Sequence, residues 1–157
     1  YKSSGGIRTK PTVSDRSNMV LFATLDGYIY SIDFSKGKYK WNFVTKAPCL
    51  STIVSQTVEN DEYFFFGADN GIFYCINSLG KKIWQFKTNG KIRTEALVHE
   101  NRVYFGSADN HFYSLDAQTG KEIFSFATDG TIIGKPVIVD NVVYFGSTDS
   151  FVHGVNI

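Results

Sequence analysis

The sequence predicts an all-β fold, a β-propeller of four-stranded antiparallel blades, from three observations. Short runs rich in Val, Ile, Phe and Tyr alternate with turn residues, and no stretch has the 3.6-residue apolar spacing of a helix. One unit recurs with a period near 40 residues, which is typical of a propeller blade. Apolar residues lie on both sides of the strands, so neighbouring sheets must cover both faces of each sheet.

One aromatic position defines the period. Tyr30, Tyr74, Tyr113 and His153 occupy it, at spacings of 44, 39 and 40 residues. The clearest copy is 103–126, where short aromatic runs alternate with Asp, Asn and Gly turn residues, and 94–99 supplies its innermost strand. Each copy is therefore expected to form a four-stranded meander.

The copies divide the chain into blades at about 10–45, 51–88, 94–128 and 134–157, predicted to form a single propeller domain or a propeller fragment. A polar insertion at 58–62 lengthens the first period. The fourth copy stops after its third strand, and residues 1–3 are expected to supply the outer strand that closes the ring. A four-bladed ring, part of a larger propeller and a dimer of half-rings all fit this pattern.

Glycine recurs inside the second strand of the copies, at Gly67, Gly106 and Gly146. A glycine in a strand costs stability unless a neighbouring group must approach closely. We therefore expect tight contact between blades at this position.

Composition excludes some classes of function. The net charge of the 157 residues is +1, which argues against a nucleic-acid partner. The sequence has no run of 18 apolar residues, so it predicts no membrane span. The sequence starts without Met or an apolar signal segment, so we expect a processed chain or an excised piece.

The segment Tyr-Ser-Leu-Asp-Ala-Gln-Thr-Gly-Lys-Glu-Ile-Phe at 113–124 resembles the repeat of the PQQ-like (quinoprotein) β-propellers, which typically reads Ala-Leu-Asp-Ala-x-Thr-Gly-Lys-x-x-Trp. The resemblance covers three full copies and a partial one. It implies that the outer-strand aromatic docks on the next blade, that Asp or Asn folds the turn, and that Gly ends it. The matching positions are Trp41, Trp84 and Phe124; Asp33 and Asp116, with Asn77 and Asn156 in the other copies; and Gly37, Gly80 and Gly120.

The resemblance implies a non-catalytic binding or scaffolding module, similar in broad type to the BamB-like outer-membrane assembly proteins. Its partner would be a protein or peptide, and its location periplasmic, cell-surface or secreted. Quinone-dependent dehydrogenases share the repeat, but this chain has too few blades and no vicinal Cys pair. We therefore expect no enzyme activity, cofactor or metal site, and a fragment of such a dehydrogenase is one alternative. The other is a lectin-like module that binds carbohydrates or small ligands through exposed aromatic residues among Tyr28, Tyr39 and Phe151.

Five cations fall in the links that lead into the innermost strands, and such links line one mouth of a propeller channel. They are Arg8, Lys10, Lys91, Arg93 and Lys135. A basic mouth would receive an acidic peptide or an anionic glycan. The alternative is an ordinary solvated rim, since charged runs are usually surface.

The remaining polar residues have simpler interpretations. Asp26-Gly27, Asp69-Asn70-Gly71, Asp109-Asn110 and Asp149-Ser150 lie between strands and lack the acid density of a calcium loop, so we expect turns. The histidines, His99, His111 and His153, occupy three different repeat positions and are not expected to converge on a metal. Cys49 and Cys75 are expected to be small buried hydrophobes, and a disulfide would need closely placed Cα atoms.

Overall fold

The computed structural model describes residues 1–58 and 60–157, and these form fifteen strands in four antiparallel sheets. The first sheet contains β1 (Thr12–Ser14), β2 (Met19–Ala23), β3 (Tyr28–Asp33) and β4 (Tyr39–Val44), and the second contains β5 (Val54–Val58), β6 (Asp61–Gly67), β7 (Ile72–Asn77) and β8 (Lys82–Lys87). The third contains β9 (Leu97–His99), β10 (Arg102–Gly106), β11 (His111–Asp116) and β12 (Glu122–Ala127), and the fourth contains β13 (Val137–Val139), β14 (Val142–Gly146) and β15 (Val152–Asn156). The predicted all-β fold of four repeats is confirmed.

Strand order within each sheet follows chain order, so every sheet is an up-and-down meander. The innermost strands of successive sheets are adjacent, with β1 beside β5 and β5 beside β9. The sheets are therefore arranged around a common axis. The polar insertion lies in the β5–β6 hairpin, whose last pair joins Val58 to Asp61, and Glu59 lies outside the described residues. Within the described chain no helix has the length and apolar character needed to cross a membrane.

The turn after the third strand of a repeat is built by one side chain. The Asp116 Oδ1 atom accepts hydrogen bonds from the backbone N–H groups of Gln118 (3.1 Å) and Thr119 (2.8 Å). Gly120 then adopts a φ of +70°, which residues with a side chain rarely reach. Asp33 with Gly37 forms the same turn, and Asn77 with Gly80 forms a turn that is one residue shorter. An acceptor side chain followed by glycine thus sets the β3–β4, β7–β8 and β11–β12 connections.

The Asp- and Asn-rich segments between the second and third strands are also turns. A left-handed residue holds the same place in each: Gly27, Gly71, Asn110 and Ser150 have φ between +67° and +86°. The Asp149 carboxylate accepts a 3.0 Å hydrogen bond from the Phe151 N–H, which closes the turn before β15.

Adjacent sheets pack face to face through aromatic rings. The rings of Phe73 and Phe105 stack between the second and third sheets at 4.0 Å, and those of Phe112 and Phe145 stack between the third and fourth at 3.9 Å. A Cβ atom built on Gly67 would lie 2.1 Å from a side-chain carbon of Ile92. The predicted close contact between blades therefore occurs at this glycine, and Gly106 makes the same contact with Ile132.

The outer-strand tryptophans reach the turn of the next sheet. The Trp41 ring lies over Gly80 and its Nε1–H donates to the Ser78 carbonyl at 2.9 Å. Trp84 lies over Gly120 and donates to the Ala117 carbonyl at 2.9 Å. The third copy has Phe124 at this position, and its ring joins the apolar cluster that contains Val155 and Ile157.

The fourth sheet is covered on one face only, within the described part of the chain. Phe145 on the covered face is buried, whereas Tyr144 and Val152 on the opposite face are exposed. The residue equivalent to Val152 in the third sheet, Phe112, is fully buried. The four sheets therefore form an open arc, because the first sheet does not cover the outward face of the fourth.

The expectation that residues 1–3 close the ring as an outer strand is wrong. They form no strand, and the Tyr1 ring packs on Phe22 and Tyr30 of the first sheet at 6.3 and 5.6 Å. The physical reason is that no strand of the described chain pairs with them, since the fourth sheet ends at β15. Their contact with the first sheet is nevertheless the one that an outer strand makes. Tyr1 occupies the position of Phe86, which likewise packs on Phe105 and Tyr113 of the following sheet at 6.4 and 5.4 Å.

Candidate functional site

A cleft opens beside the axis, where the innermost strands of the first two sheets lie next to each other. Its volume is about 420 Å³, and its lining consists of Lys10–Val13, Thr52–Ser55 and Glu95. We call it the axial cleft. β1 and β5 are the terminal strands of their sheets, so each turns a strand edge towards the axis. The Thr12 hydroxyl donates to the Ile53 carbonyl at 2.6 Å and links the two walls.

One repeat position supplies the charge around this cleft. It lies two residues before each innermost strand and is occupied by Lys10, Thr52, Glu95 and Lys135. The Lys135 ammonium is 2.5 Å from the Glu95 carboxylate of the preceding repeat. Sequence analysis missed Glu95, although its alignment with Lys10 and Lys135 would have revealed it.

A second ion cluster lies between the second and third repeats. The Arg93 guanidinium donates two hydrogen bonds to the Asp69 carboxylate, at 2.7 and 2.8 Å, and the Lys91 ammonium lies 3.9 Å away. The hydrogen bonds from Arg93 hold the pKa of Asp69 below its usual range, and they raise the pKa of Arg93. Arg93 is therefore neutralised within the chain, whereas Lys91 shares the same single carboxylate at the longer distance.

The five predicted cations thus fall into two groups. Lys91, Arg93 and Lys135 pair with carboxylates, as described above. Arg8 and Lys10 are exposed, and no carboxylate of the described residues lies within ion-pair distance of either. Lys10 lines the axial cleft, so it is the cation there that remains available to a ligand.

The three aromatic residues considered for glycan binding do not form one platform. Tyr28 and Tyr39 are linked through two other rings: Tyr28 contacts Tyr30 at 5.7 Å, Tyr30 contacts Tyr1 at 5.6 Å, and Tyr1 contacts Tyr39 at 6.1 Å. Phe151 belongs to the fourth sheet and contacts His153. In the described chain no ring contact joins Phe151 to either tyrosine.

The cysteines and histidines have structural roles. Cys49 and Cys75 are buried in separate apolar clusters and are not bonded to each other, as predicted. Burial raises the pKa of the Cys49 thiol to about 12 and also raises that of Cys75. Each histidine lies beside a nearby carboxylate, and the closest contact joins His153 Nε2 to Asp149 at 3.0 Å.

The donor set does not fit a quinone site with its calcium ion. Across the described residues, no three His, Cys, Asp or Glu side chains are grouped so that they could hold a metal. The sequence also has no vicinal Cys pair. We therefore derive no step that involves such a group.

Comparisons with known proteins agree with this architecture. Residues 68–157, more than half of the chain, match the family described as outer membrane protein assembly factor BamB. No curated protein matches the chain. BamB from Moraxella catarrhalis is similar in structure, with a TM-score of 0.84 and 20% sequence identity over 99% of this chain and 48% of that chain.

Two computationally designed proteins are similar as well. Ika4 has a TM-score of 0.81 at 21% identity, over 99% of this chain and 94% of its own. Ika8 has a TM-score of 0.76 at 21% identity, over 94% of this chain and 45% of its own. The chain therefore spans about half the length of the Moraxella protein and of Ika8, and nearly all of Ika4.

Proposed function

The chain belongs to the BamB family of PQQ-like β-propeller proteins, and on that premise we propose that it is a non-catalytic scaffold that binds another protein. Propellers hold loops and channel mouths in fixed positions on rigid sheets, which suits recognition of a partner. The observation that carries the proposal is the axial cleft, because its walls offer both strand edges and a cation that has no acidic partner in the described chain.

The cleft favours an extended peptide segment of the partner. A strand edge binds an extended chain through backbone hydrogen bonds, and side-chain pockets then select the sequence. Val13 and Val54 provide apolar contacts, whereas Lys10 attracts an acidic side chain. The ligand class is therefore a partner segment that combines β-branched or apolar residues with Asp or Glu.

The alternatives have weaker support. A glycan platform built from all three aromatic residues would need Phe151 to join Tyr28 and Tyr39, and Phe151 contacts His153 of the fourth sheet instead. A quinone enzyme would need a cofactor and metal site for which the described donor set is unsuited. The proposal therefore retains a binding role and leaves out catalysis.

We place the proposed role in the cell envelope or at the cell surface, because the family is described by outer membrane protein assembly. The location would then be periplasmic, cell-surface or secreted. Fractionation of the source cells, with detection by an antibody against the chain, tests this. Recovery with cytoplasmic proteins alone would contradict the location and leave the binding proposal open.

Photocrosslinking tests the binding proposal directly. Benzoylphenylalanine placed at Val13 in the axial cleft should form an adduct with a discrete partner protein in the source cells, identified by mass spectrometry. The same probe at Leu79, on the exposed β7–β8 turn at the opposite end of the sheets, is the matched control.

Charge reversal then tests the role of Lys10. Lys10→Glu should weaken the adduct at Val13 by about tenfold or more, since it replaces attraction to an acidic segment with repulsion. Lys121→Glu, an exposed lysine on the β11–β12 turn, should leave the adduct unchanged. Equal adducts at Val13 and Leu79, or an adduct that is insensitive to Lys10→Glu, would contradict the proposal.

A further inference from the structure

The outward face of the fourth sheet lacks the cover that the same face has in the other sheets. Val152 is 76% exposed, whereas its equivalents Phe112, Phe73 and Ile29 are fully buried. Tyr144 is 39% exposed, and its equivalent Tyr104 is fully buried. The repeat has therefore built an apolar face for a neighbouring sheet at this position.

A notch on that face has the shape of the notches that are filled at Gly67 and Gly106. Gly67 and Gly106 make room for Ile92 and Ile132, which come from the link that follows each sheet. Their equivalent in the fourth sheet, Gly146, has no atom of the described chain within 4 Å of a Cβ built on it. The notch at Gly146 is therefore open.

The side chain that fits this notch is present elsewhere in the chain. Ile7 occupies the repeat position of Ile92 and Ile132, as shown by the matching segments Gly-Gly-Ile-Arg-Thr and Gly-Lys-Ile-Arg-Thr. Ile92 and Ile132 are 0% and 1% exposed, but Ile7 is 47% exposed. The chain thus carries both halves of one further sheet-to-sheet contact, and they do not meet within a single copy.

The segment around Gly6 makes the same backbone contact as a link. The Leu25 N–H donates to the Gly6 carbonyl at 2.9 Å, as the Ala108 N–H donates to the Lys91 carbonyl at 2.9 Å. This segment therefore lies on the first sheet as each link lies on the sheet that follows it. Its other side is free to contact a preceding sheet.

We propose that a second copy of the chain occupies the open face. Residues 1–9 of each copy would pack on the fourth sheet of the other, with Ile7 in the Gly146 notch, and a two-fold axis would generate a closed ring of two arcs. The Ile7 N–H would donate to the Ser147 carbonyl, as the Ile92 N–H donates to the Ala68 carbonyl at 3.2 Å.

Two arguments favour a second copy as the occupant. The proposed contact continues the interface that joins the sheets within one copy. The shape and hydrogen-bonding groups of residues 1–9 therefore already match those of the fourth sheet. The arc also superposes on 48% of the Moraxella BamB chain and 45% of Ika8, so two arcs account for the length of either chain.

Solution mass tests the pairing. Sedimentation or light scattering of the 157-residue chain at about 100 μM should give about 35 kDa, twice the chain mass of 17.6 kDa, if the dissociation constant is of order 1 μM or lower. A mass of one chain at that concentration would overturn the proposal, including the case in which another part of a longer polypeptide covers this face.

Two variants identify the interface. Val152→Asp and Ile7→Asp each place a charge in the proposed contact, and both side chains are exposed in one copy, so the fold should persist by circular dichroism. Each should reduce the mass to that of one chain. Leu79→Asp makes the same kind of change at an equally exposed apolar residue and should leave the dimer intact.

Each variant outcome decides the proposal. Loss of the dimer in both variants, but not in Leu79→Asp, supports a ring of two copies. Loss in Val152→Asp alone would mean that β15 edges pair with each other, and it would overturn the ring. A dimer that survives both variants would also overturn it.

Discussion

Single residues determine how closely adjacent sheets pack, and we call each such sheet-to-sheet contact a joint. Gly67 and Gly106 lie where a methyl group would overlap an isoleucine of the next link. The Asp116 carboxylate and the Gly120 backbone fix one turn, and the Trp84 ring covers that same glycine. The glycine contact and the tryptophan contact each occur in two of the repeats, so their contributions to stability add along the arc.

Gly67→Ala should destabilise the protein by about 1–3 kcal/mol, because its methyl group would lie 2.1 Å from a carbon of Ile92 and the packed sheets cannot move apart freely. Urea unfolding followed by tryptophan fluorescence measures this. Gly134→Ala is the control, since it has open space and no left-handed backbone, and it should change stability by less than about 0.5 kcal/mol. Equal effects of the two variants would disprove the close-contact argument.

Stability at acid pH should depend on Arg93. Arg93 lowers the pKa of Asp69 in the folded state, so the stabilisation from this carboxylate is present above the unfolded pKa of about 4 and is lost as the pH falls through the lower folded value. Arg93 is partly exposed, so the effect should not exceed about 1 kcal/mol.

The measurement is the free energy of unfolding at about pH 6 and about pH 2 in the wild type and in Arg93→Gln. The variant should lose less stability on acidification than the wild type. Lys121→Gln, whose lysine is exposed on a turn, should behave as the wild type. Parallel pH profiles for Arg93→Gln and the wild type would show that the ion pair contributes nothing.

Sequence reasoning reached some of these residues and not others. The turn acceptors and glycines were predictable because each recurs at a fixed place in the repeat. The pairing of Arg93 with Asp69 was not, because the residues equivalent to Asp69 in the other copies are Leu25, Ala108 and Thr148. An interaction made once leaves no periodic signal.

At the scale of elements, each sheet depends on its neighbours. An antiparallel sheet with two apolar faces is stable only when both are covered. Stacked rings such as Phe73 on Phe105 cover the middle of each joint, and Trp41 and Trp84 cover its outer end. The joints therefore bury the apolar faces that hairpin formation within a sheet leaves exposed.

Trp84→Ala should cost about 3–5 kcal/mol, because it removes a buried ring and leaves the Ala117 carbonyl without its 2.9 Å donor. Trp84→Phe should cost less, since the third copy already uses Phe124 at this position. Guanidinium unfolding followed by circular dichroism distinguishes them. If the two substitutions were equally destabilising, ring packing at the joint would not be the main contribution.

The elements themselves were predictable because turn residues separate the strands, and the runs between them are rich in aromatic or β-branched residues. The place of residues 1–3 was not, since the same sequence match fits an outer strand and the beginning of a link. The contact of Tyr1 with the first sheet fits either, since Phe86 of the outer strand β8 makes the same contact, and only the absence of strand pairing at residues 1–3 decides it. Local sequence cannot report which of two neighbouring sheets a boundary residue contacts.

At the scale of the whole molecule, the repeat accounts for both the closed and the open parts of the arc. Three joints are formed, and the components of a fourth lie exposed at Ile7 and Gly146. The axial cleft lies where innermost strands meet, so any change in how the arc closes also changes the surroundings of the axis. The proposed partner site and the proposed pairing of copies are thus connected through the geometry of the arc.

The most direct test of the central claim, that facing sheets stabilise one another, is hydrogen exchange followed by mass spectrometry on the wild type and Val152→Asp. In the wild-type dimer the amides of β14 should be protected about as well as those of β10. In Val152→Asp the amides of β14 should exchange at least about tenfold faster while those of β6 are unchanged, because the fourth sheet loses its cover and the second sheet keeps both of its neighbours. Unchanged protection of β14 in the variant would contradict the account.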